Sequence, residues 1–119
     1  MPPPTILRVR HAADVEAVLD PRIVTPVLLF KHSTRCGLSD RAHAHFLRYA
    51  VQASARGIRL AEVRVVEERP LSQALAERTG VAHASPQALL LRSGQVLWHA
   101  RHTGITEAAL QAAERHVTP

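Results

Sequence analysis

Residues 27–39 read Val-Leu-Leu-Phe-Lys-His-Ser-Thr-Arg-Cys-Gly-Leu-Ser, and their pattern predicts a strand that is followed by a helix. Its first part, Val27–Phe30, is a continuous apolar run, which is typical of a strand that is buried on both faces of a sheet. Ser33–Thr34 then offers hydroxyl groups that can cap a helix. Over about Cys36–Ala55, apolar residues recur at spacings of three and four, which predicts an amphipathic helix. A buried strand should therefore lead directly into a helix that begins at Cys36.

The same kinds of pattern predict elements on both sides of this stretch. They are a helix over His11–Leu19, a strand over Ile58–Val66, a helix over Leu71–Thr79, strands over Ala88–Leu91 and Gln95–Ala100, and a helix over Glu107–His116. The first two strands are joined by a helix, so they should be parallel with a right-handed crossover. The last two are separated by Ser93-Gly94, so they should form an antiparallel hairpin. A four-stranded mixed sheet with helices on both faces satisfies this order. The fold class is α/β in the thioredoxin-like arrangement, with another α/β fold built on a βαβ unit as the alternative.

The length and composition fit one domain. The chain has 119 residues, of which 46% are hydrophobic, so we expect a single domain over residues 1–119 with residues 1–10 as a candidate flexible segment. No apolar run approaches the ~18 residues that a membrane span needs. The start, Met1–Pro4, lacks the basic and apolar regions of a signal peptide. One cysteine cannot form an internal disulfide. These features predict a cytoplasmic protein with no membrane contact.

The formal charge of +5 raises the question of nucleic-acid binding. However, the basic residues are scattered from Arg8 to Arg115, and only 3% of the residues are aromatic. Phosphate backbones and bases are usually met by clustered basic and aromatic side chains. We therefore expect no nucleic-acid partner. The positive potential can instead attract an anionic thiol substrate.

Cys36 is the predicted reactive centre. A lone cysteine is usually an inert, small apolar residue, but this one follows a predicted strand and opens a predicted helix. The unpaired backbone N–H groups and the dipole of a helix start stabilise an anion. Lys31, His32 and Arg35 can add positive charge nearby. Because the thiolate is the nucleophilic form, Lys31 and His32 are candidates for tuning the sulfur.

Ser39 stands where a Cys-x-x-Cys motif would carry its second cysteine. Its hydroxyl either donates a hydrogen bond toward the Cys36 sulfur or is an ordinary polar group in the first turn of the helix. In both cases Ser39 cannot resolve a mixed disulfide, so release must come from a second molecule. The chemistry is therefore monothiol.

Ser85-Pro86 directly precedes the third predicted strand. In thioredoxin-like folds, a cis-proline at this place faces the reactive cysteine and leaves neighbouring backbone groups able to pair with a substrate. We predict a cis peptide bond here. Arg35, Gly37, Ser85 and Pro86 are the residues that we expect to contact substrate.

Several segments together resemble the monothiol bacilliredoxin family. The segments are KHSTRCGLS (31–39), ERPLS (68–72), AERTGV (76–81), SPQA (85–88), WHA (98–100) and IT (105–106). The similarity extends over about residues 30–106, with the segments in the family's order. The family is thioredoxin-like and acts with bacillithiol, a small cysteine-containing thiol.

The resemblance implies that the protein removes bacillithiol from protein mixed disulfides. Cys36 would be the nucleophile, Ser39 would replace a resolving thiol, and Pro86 would be the cis-proline. Bacillithiol would be a co-substrate, and no cofactor would be bound permanently. The expected partners are S-thiolated proteins and a low-molecular-weight thiol, and the expected assembly state is a monomer or a weak dimer.

Two other functions fit parts of the sequence. Cys36-Gly37-Leu38-Ser39 also resembles the Cys-Gly-Phe-Ser signature of monothiol glutaredoxins, which carry an iron–sulfur cluster between two subunits. Alternatively, the protein could be a non-catalytic redox sensor whose cysteine is capped by a small thiol.

Other polar residues leave their roles open. His43 and His45 should point to different faces of their helix, and we expect no metal site. Trp98 can border a thiol-binding groove or belong to the core. Arg69 and Ser72, at a predicted helix start, can meet an anionic ligand or lie in solvent.

Overall fold

The computed structural model describes residues 3–117, and every predicted helix and strand forms within them. The strands are β1 (Ile6–Arg8), β2 (Val27–His32), β3 (Arg59–Arg64), β4 (Gln87–Arg92) and β5 (Gln95–Arg101). The helices are α1 (Ala12–Leu19), α2 (Gly37–Ala55), α3 (Arg69–Thr79) and α4 (Glu107–Ala113), with short 3-10 helices over His102–Gly104 and Glu114–His116. None of the helices in this part of the chain combines the length and the apolar character needed to cross a bilayer.

The strands form one mixed sheet in the order β1-β3-β2-β4-β5. Strands β2 and β3 are parallel, whereas β4 is antiparallel to both β2 and β5. The predicted parallel pair and the predicted hairpin are thus confirmed. In the hairpin turn, Ser93 and Gly94 both have positive φ, at 53° and 76°, which suits a turn that follows the twist of the strands.

The expected four-stranded sheet is corrected to five strands. Strand β1 pairs in parallel with β3, with Ile6 opposite Leu60, and the next residue, Val9, is fully buried. These residues lie within the segment 1–10 that the sequence marks as a candidate flexible extension, whose first two residues fall outside the described part of the chain. A three-residue strand is too short to show a period of two, so its pairing decides its structure.

Strand β2 is buried along its whole length, as its apolar run predicts. Successive side chains point to opposite faces of a strand. Phe30 therefore packs with α2 and α4, and Leu29 belongs to the cluster on the α1 and α3 side. The two polar residues that end the strand, Lys31 and His32, are separated in the same way. They reach opposite faces of the sheet.

The loop that carries Cys36 and the loop that carries Pro86 lie at the same end of the sheet. Lys31 is the register partner of Gln87, so the residues just after β2 lie beside those just before β4. The loop from Ser33 to Cys36 therefore approaches Ser85 and Pro86, although these segments are about 50 residues apart in sequence.

Candidate active site

Cys36 is the residue that caps the N-terminus of α2 and is partly exposed. Its carbonyl accepts the first hydrogen bond of the helix, from the N–H of Asp40 at 3.1 Å, and its own N–H donates to the carbonyl of Ser33 at 3.4 Å. The backbone N–H groups of the first helical turn have no acceptor within the helix, and the helix dipole adds positive potential there. The predicted helix start is confirmed.

Ser39 is fully buried beneath this turn. Its Oγ accepts a hydrogen bond from the N–H of Ser33 at 2.9 Å and lies 2.8 Å from Nδ1 of His32. Ser39 Oγ thus links the backbone of Ser33 to the imidazole ring of His32. Over residues 3–117, no hydrogen bond joins Ser39 to the Cys36 sulfur, unlike the first of the two predicted roles. Ser39 fixes the loop that carries the cysteine.

A chain of polar side chains continues from Ser39 into the sheet. The rings of His32 and His43 stack with centroids 4.3 Å apart, and Nε2 of His43 lies 2.8 Å from Oε2 of Glu62. This hydrogen bond lowers the pKa of Glu62. Burial, followed by the charge of His43, lowers the pKa of His32, which disfavours its charged form. The expectation that His32 adds positive charge beside Cys36 is therefore corrected: it is a hydrogen-bond partner of Ser39.

Lys31 reaches the other face of the sheet. Its side chain is buried, and Nζ lies 3.4 Å from the carbonyl oxygen of Ser72 and 3.4 Å from Nδ1 of His83. Burial lowers the pKa of Lys31 to about 8. The hydrogen bonds of its side chain are with α3 and with the loop before β4, and within residues 3–117 none joins it to Cys36. The structure does not bring Lys31 to the sulfur that it was expected to tune.

Of the residues expected to contact substrate, two flank the cysteine in the chain and two directly precede β4. Arg35 and Gly37 are exposed on either side of it, and a side chain added at Gly37 would have no other group within 4 Å. The Ser85-Pro86 peptide bond is cis, as predicted. The Pro86 carbonyl accepts from the N–H of His102 at 3.0 Å. Within residues 3–117, Ser85 makes no backbone–backbone hydrogen bond outside the strands and helices, and its buried hydroxyl has no partner.

The histidines of α2 and the tryptophan of β5 have structural contacts. His43 contacts Glu62, whereas Nδ1 of His45 accepts from the N–H of Glu107 at 3.0 Å, so the two rings face different elements as expected. Trp98 is half-buried and packs against the core on the α2 side. Within residues 3–117, no group of three or more His, Cys, Asp or Glu side chains is placed to hold a metal ion.

Sequence reasoning missed the contacts of Glu62 and His83. Glu62 in β3 contacts His43 in α2, and His83 lies in an irregular loop. No periodic pattern in the neighbouring sequence predicts either contact. One signal was available. Lys31 interrupts a run of residues that predicts burial on both faces, and a buried lysine needs acceptors for its N–H groups. Those acceptors are in Ser72 and His83.

Replacing Ser39 by alanine is expected to lower the free energy of unfolding by about 1–3 kcal/mol, because the N–H of Ser33 and Nδ1 of His32 lose their partner. Urea unfolding measures this loss. Ser54→Ala is the matched control, since Ser54 lies near the other end of α2 and is exposed. It should change stability by less than about 0.5 kcal/mol. Equal effects of the two substitutions would contradict the positioning role of Ser39.

Known proteins resemble this chain in both family and fold. The family model described as monothiol bacilliredoxin BrxC matches residues 8–110. A solved structure described as an oxidoreductase with a thioredoxin fold is 28% identical, with a TM-score of 0.79, and the match covers 92% of this chain and 93% of that one. Thioredoxin from Malassezia sympodialis is 16% identical, with a TM-score of 0.79 and coverage of 99% and 96%. Thioredoxin from Trypanosoma brucei brucei is 14% identical, with a TM-score of 0.77 and coverage of 98% and 93%. The two thioredoxins bear on the fold alone.

Proposed function

We propose that this chain, which belongs to the monothiol bacilliredoxin family, removes bacillithiol from protein mixed disulfides through Cys36. Family and fold together make it a thiol–disulfide oxidoreductase. One observation carries the finer proposal: the only cysteine in the sequence is partly exposed and caps the start of α2. It is the one group in the chain that can form a mixed disulfide.

In the first step, the Cys36 thiolate attacks the bacillithiol sulfur of a protein–S–S–bacillithiol disulfide. A new bond forms between the Cys36 sulfur and the bacillithiol sulfur as the old S–S bond breaks. The electron pair of the broken bond leaves on the sulfur of the target protein, which is released as a thiolate. Exposed Gly37 leaves room for this approach, and the backbone of Ser85 is available to pair with the target chain beside the disulfide.

The second step needs another molecule. Ser39 occupies the place of a resolving thiol, and its hydroxyl is committed to Ser33 and His32. A second bacillithiol thiolate therefore attacks the bacillithiol sulfur bound to Cys36. Bacillithiol disulfide forms, and the Cys36 thiolate is regenerated. No permanently bound cofactor takes part, because the second thiol, or a partner reductase in its place, supplies the electrons.

A reducing compartment suits this cycle. Cys36 has no partner thiol within the chain, so an oxidising compartment would leave it open to capping by other thiols. We therefore propose that the protein acts in the cytoplasm, on S-thiolated proteins.

Intact-protein mass spectrometry tests the proposal. The reduced protein is mixed with a bacillithiolated target protein, and the masses of both are followed over time. We expect one bacillithiol to move to the wild-type protein and to leave again when free bacillithiol is added. Transfer without release would support a capped sensor instead. A brown protein as purified, whose visible absorbance disappears in Cys36→Ala, would favour an iron–sulfur carrier.

A further inference from the structure

A pocket of about 310 Å³ lies on the α3 side of the sheet, on the face opposite to α2. It is formed where β3 leads into α3 and by the loop before β4. Its lining residues are Val65, Val66, Arg69, Ser72, Gln73 and His83. Behind this lining lies buried Lys31, whose Nζ contacts both Ser72 and His83 at 3.4 Å.

The ionisable side chains that line the pocket or lie directly behind it are all basic. Arg69 and His83 line it, and Lys31 lies directly beneath. Burial, then the charges of Lys31 and Arg69, lower the pKa of His83, which places all three groups within one electrostatic cluster. No carboxylate is among the lining residues. Glu67 and Glu68 lie just before Arg69 in the chain but outside the lining, and Glu67 accepts a hydrogen bond from Thr34 at 3.4 Å. The lining itself therefore carries basic groups and no carboxylate.

The N–H donors of Lys31 and His83 have few acceptors within this cluster. The ammonium group of Lys31 has three N–H bonds, and its two recorded acceptors are both at the long distance of 3.4 Å. Nδ1 of His83 also lies 3.3 Å from the hydroxyl of Ser72. With Nδ1 serving as an acceptor, the proton of the neutral ring is on Nε2, which is a further donor. A ligand with carboxylate oxygens in the pocket could accept hydrogen bonds from Arg69 and His83, with the charge of buried Lys31 behind them.

The pocket also lies beside the reactive loop. The N–H of Val65, a lining residue, donates to the carbonyl of His32 at 2.9 Å. Two residues after His32, Thr34 contacts Glu67, at the other end of the Val65–Glu67 segment. A molecule whose sulfur is at Cys36 can thus extend its far end over this segment toward Arg69.

We propose that the pocket formed by Arg69, Ser72 and His83 above Lys31 is a subsite for a carboxylate of the small-thiol co-substrate. Bacillithiol fits this chemistry, because its malate end is anionic and its thiol is at the opposite end. The subsite would select anionic thiols over neutral ones. This inference rests on the proposed function for its ligand, whereas the binding of a carboxylate in the pocket can be measured separately.

The first experiment measures binding without any thiol chemistry. Malate is titrated into Cys36→Ser protein, and the imidazole signal of His83 is followed by NMR, assigned through His83→Ala. We expect saturable binding that raises the pKa of His83, since an anion favours its charged form. Arg69→Ala should weaken malate binding about tenfold, as expected for losing one charge-assisted hydrogen bond. Arg59→Ala is the control: it removes the same charge at the far end of β3 and should leave binding unchanged.

The second experiment measures turnover. With dithiothreitol, a neutral dithiol, supplying the electrons that regenerate Cys36 in every assay, Arg69→Ala should raise the KM for bacillithiol disulfide about tenfold with little change in kcat, because the reacting sulfur atoms are not touched. With a neutral disulfide such as 2-hydroxyethyl disulfide, Arg69→Ala and wild type should be equally active. If Arg69 had only a structural role, Arg69→Ala would slow the reduction of both disulfides.

The results separate this inference from the proposed function. Bacillithiol turnover with no malate binding, and no effect of Arg69→Ala, would overturn the subsite and leave the proposed function standing. Malate binding that depends on Arg69 would support the subsite even if bacillithiol disulfide were not turned over. Equal weakening of malate binding by Arg59→Ala and Arg69→Ala would overturn the subsite, because general surface charge would then explain the binding.

Discussion

Replacing Cys36 by serine is expected to abolish the removal of bacillithiol from protein disulfides, a loss on the order of 10³-fold or more. A serine hydroxyl is not ionised at neutral pH and forms no S–S bond, so the covalent intermediate of the proposed cycle cannot exist. The rate should fall to the background exchange between the target disulfide and free bacillithiol. The measurement is the initial rate at which a bacillithiolated target protein loses its added mass.

A second variant asks whether the position of the thiol matters. In Cys36→Ser combined with Ser54→Cys, the chain again has one cysteine, now exposed in the last turn of α2. The C-terminal end of a helix carries negative potential, which disfavours a thiolate. We expect this variant to stay near the background rate. Activity equal to that of wild type would show that any exposed thiol suffices, and the helix start would then explain nothing.

Most helices and strands could be predicted because the sequence patterns that indicate them are local. The apolar run of β2, the spacing of three and four in α2, and the Ser93-Gly94 turn each report on neighbouring residues. The order of the elements then restricted the topology, since a helix between two strands imposes a parallel crossover. Strand β1 was not predicted because three residues are too few to show a periodic pattern. Its position depends on pairing with the free edge of β3.

The site was predictable at its centre and not in its surroundings. Cys36 could be predicted because it is the only cysteine in the sequence and lies between a strand and a helix. The partners of Ser39 depend on how α2 packs against the end of β2, which the sequence does not encode locally. Charge was the least predictable property. His32 and Lys31 both suggested positive charge near the sulfur, yet burial lowers the pKa of His32, and strand alternation places Lys31 on the opposite face of the sheet.

Phe46→Ala is expected to lower the free energy of unfolding by about 3–5 kcal/mol, because it leaves a cavity in the core. Phe46 is fully buried in the middle of α2. Its ring stacks on that of Phe30, with centroids 5.0 Å apart and planes inclined by 18°. It thereby joins the helix that begins at Cys36 to the central strand that precedes it. A domain of this size is stable by only about 5–15 kcal/mol, so this one substitution removes a large fraction. Unfolding in guanidinium chloride at pH 7 measures the change.

Leu47→Ala is the matched control for Phe46→Ala. Leu47 is the next residue of the same helix and has an apolar side chain, but it is 42% exposed, so its loss should cost less than about 1 kcal/mol. Because Phe46 is remote from the sulfur in sequence and buried on the core side, its loss should act through the folded fraction. At temperatures where Phe46→Ala is still folded, the rate per folded molecule should be close to that of wild type. Equal destabilisation by both substitutions would contradict the packing of α2 on β2, and with it the support beneath Cys36.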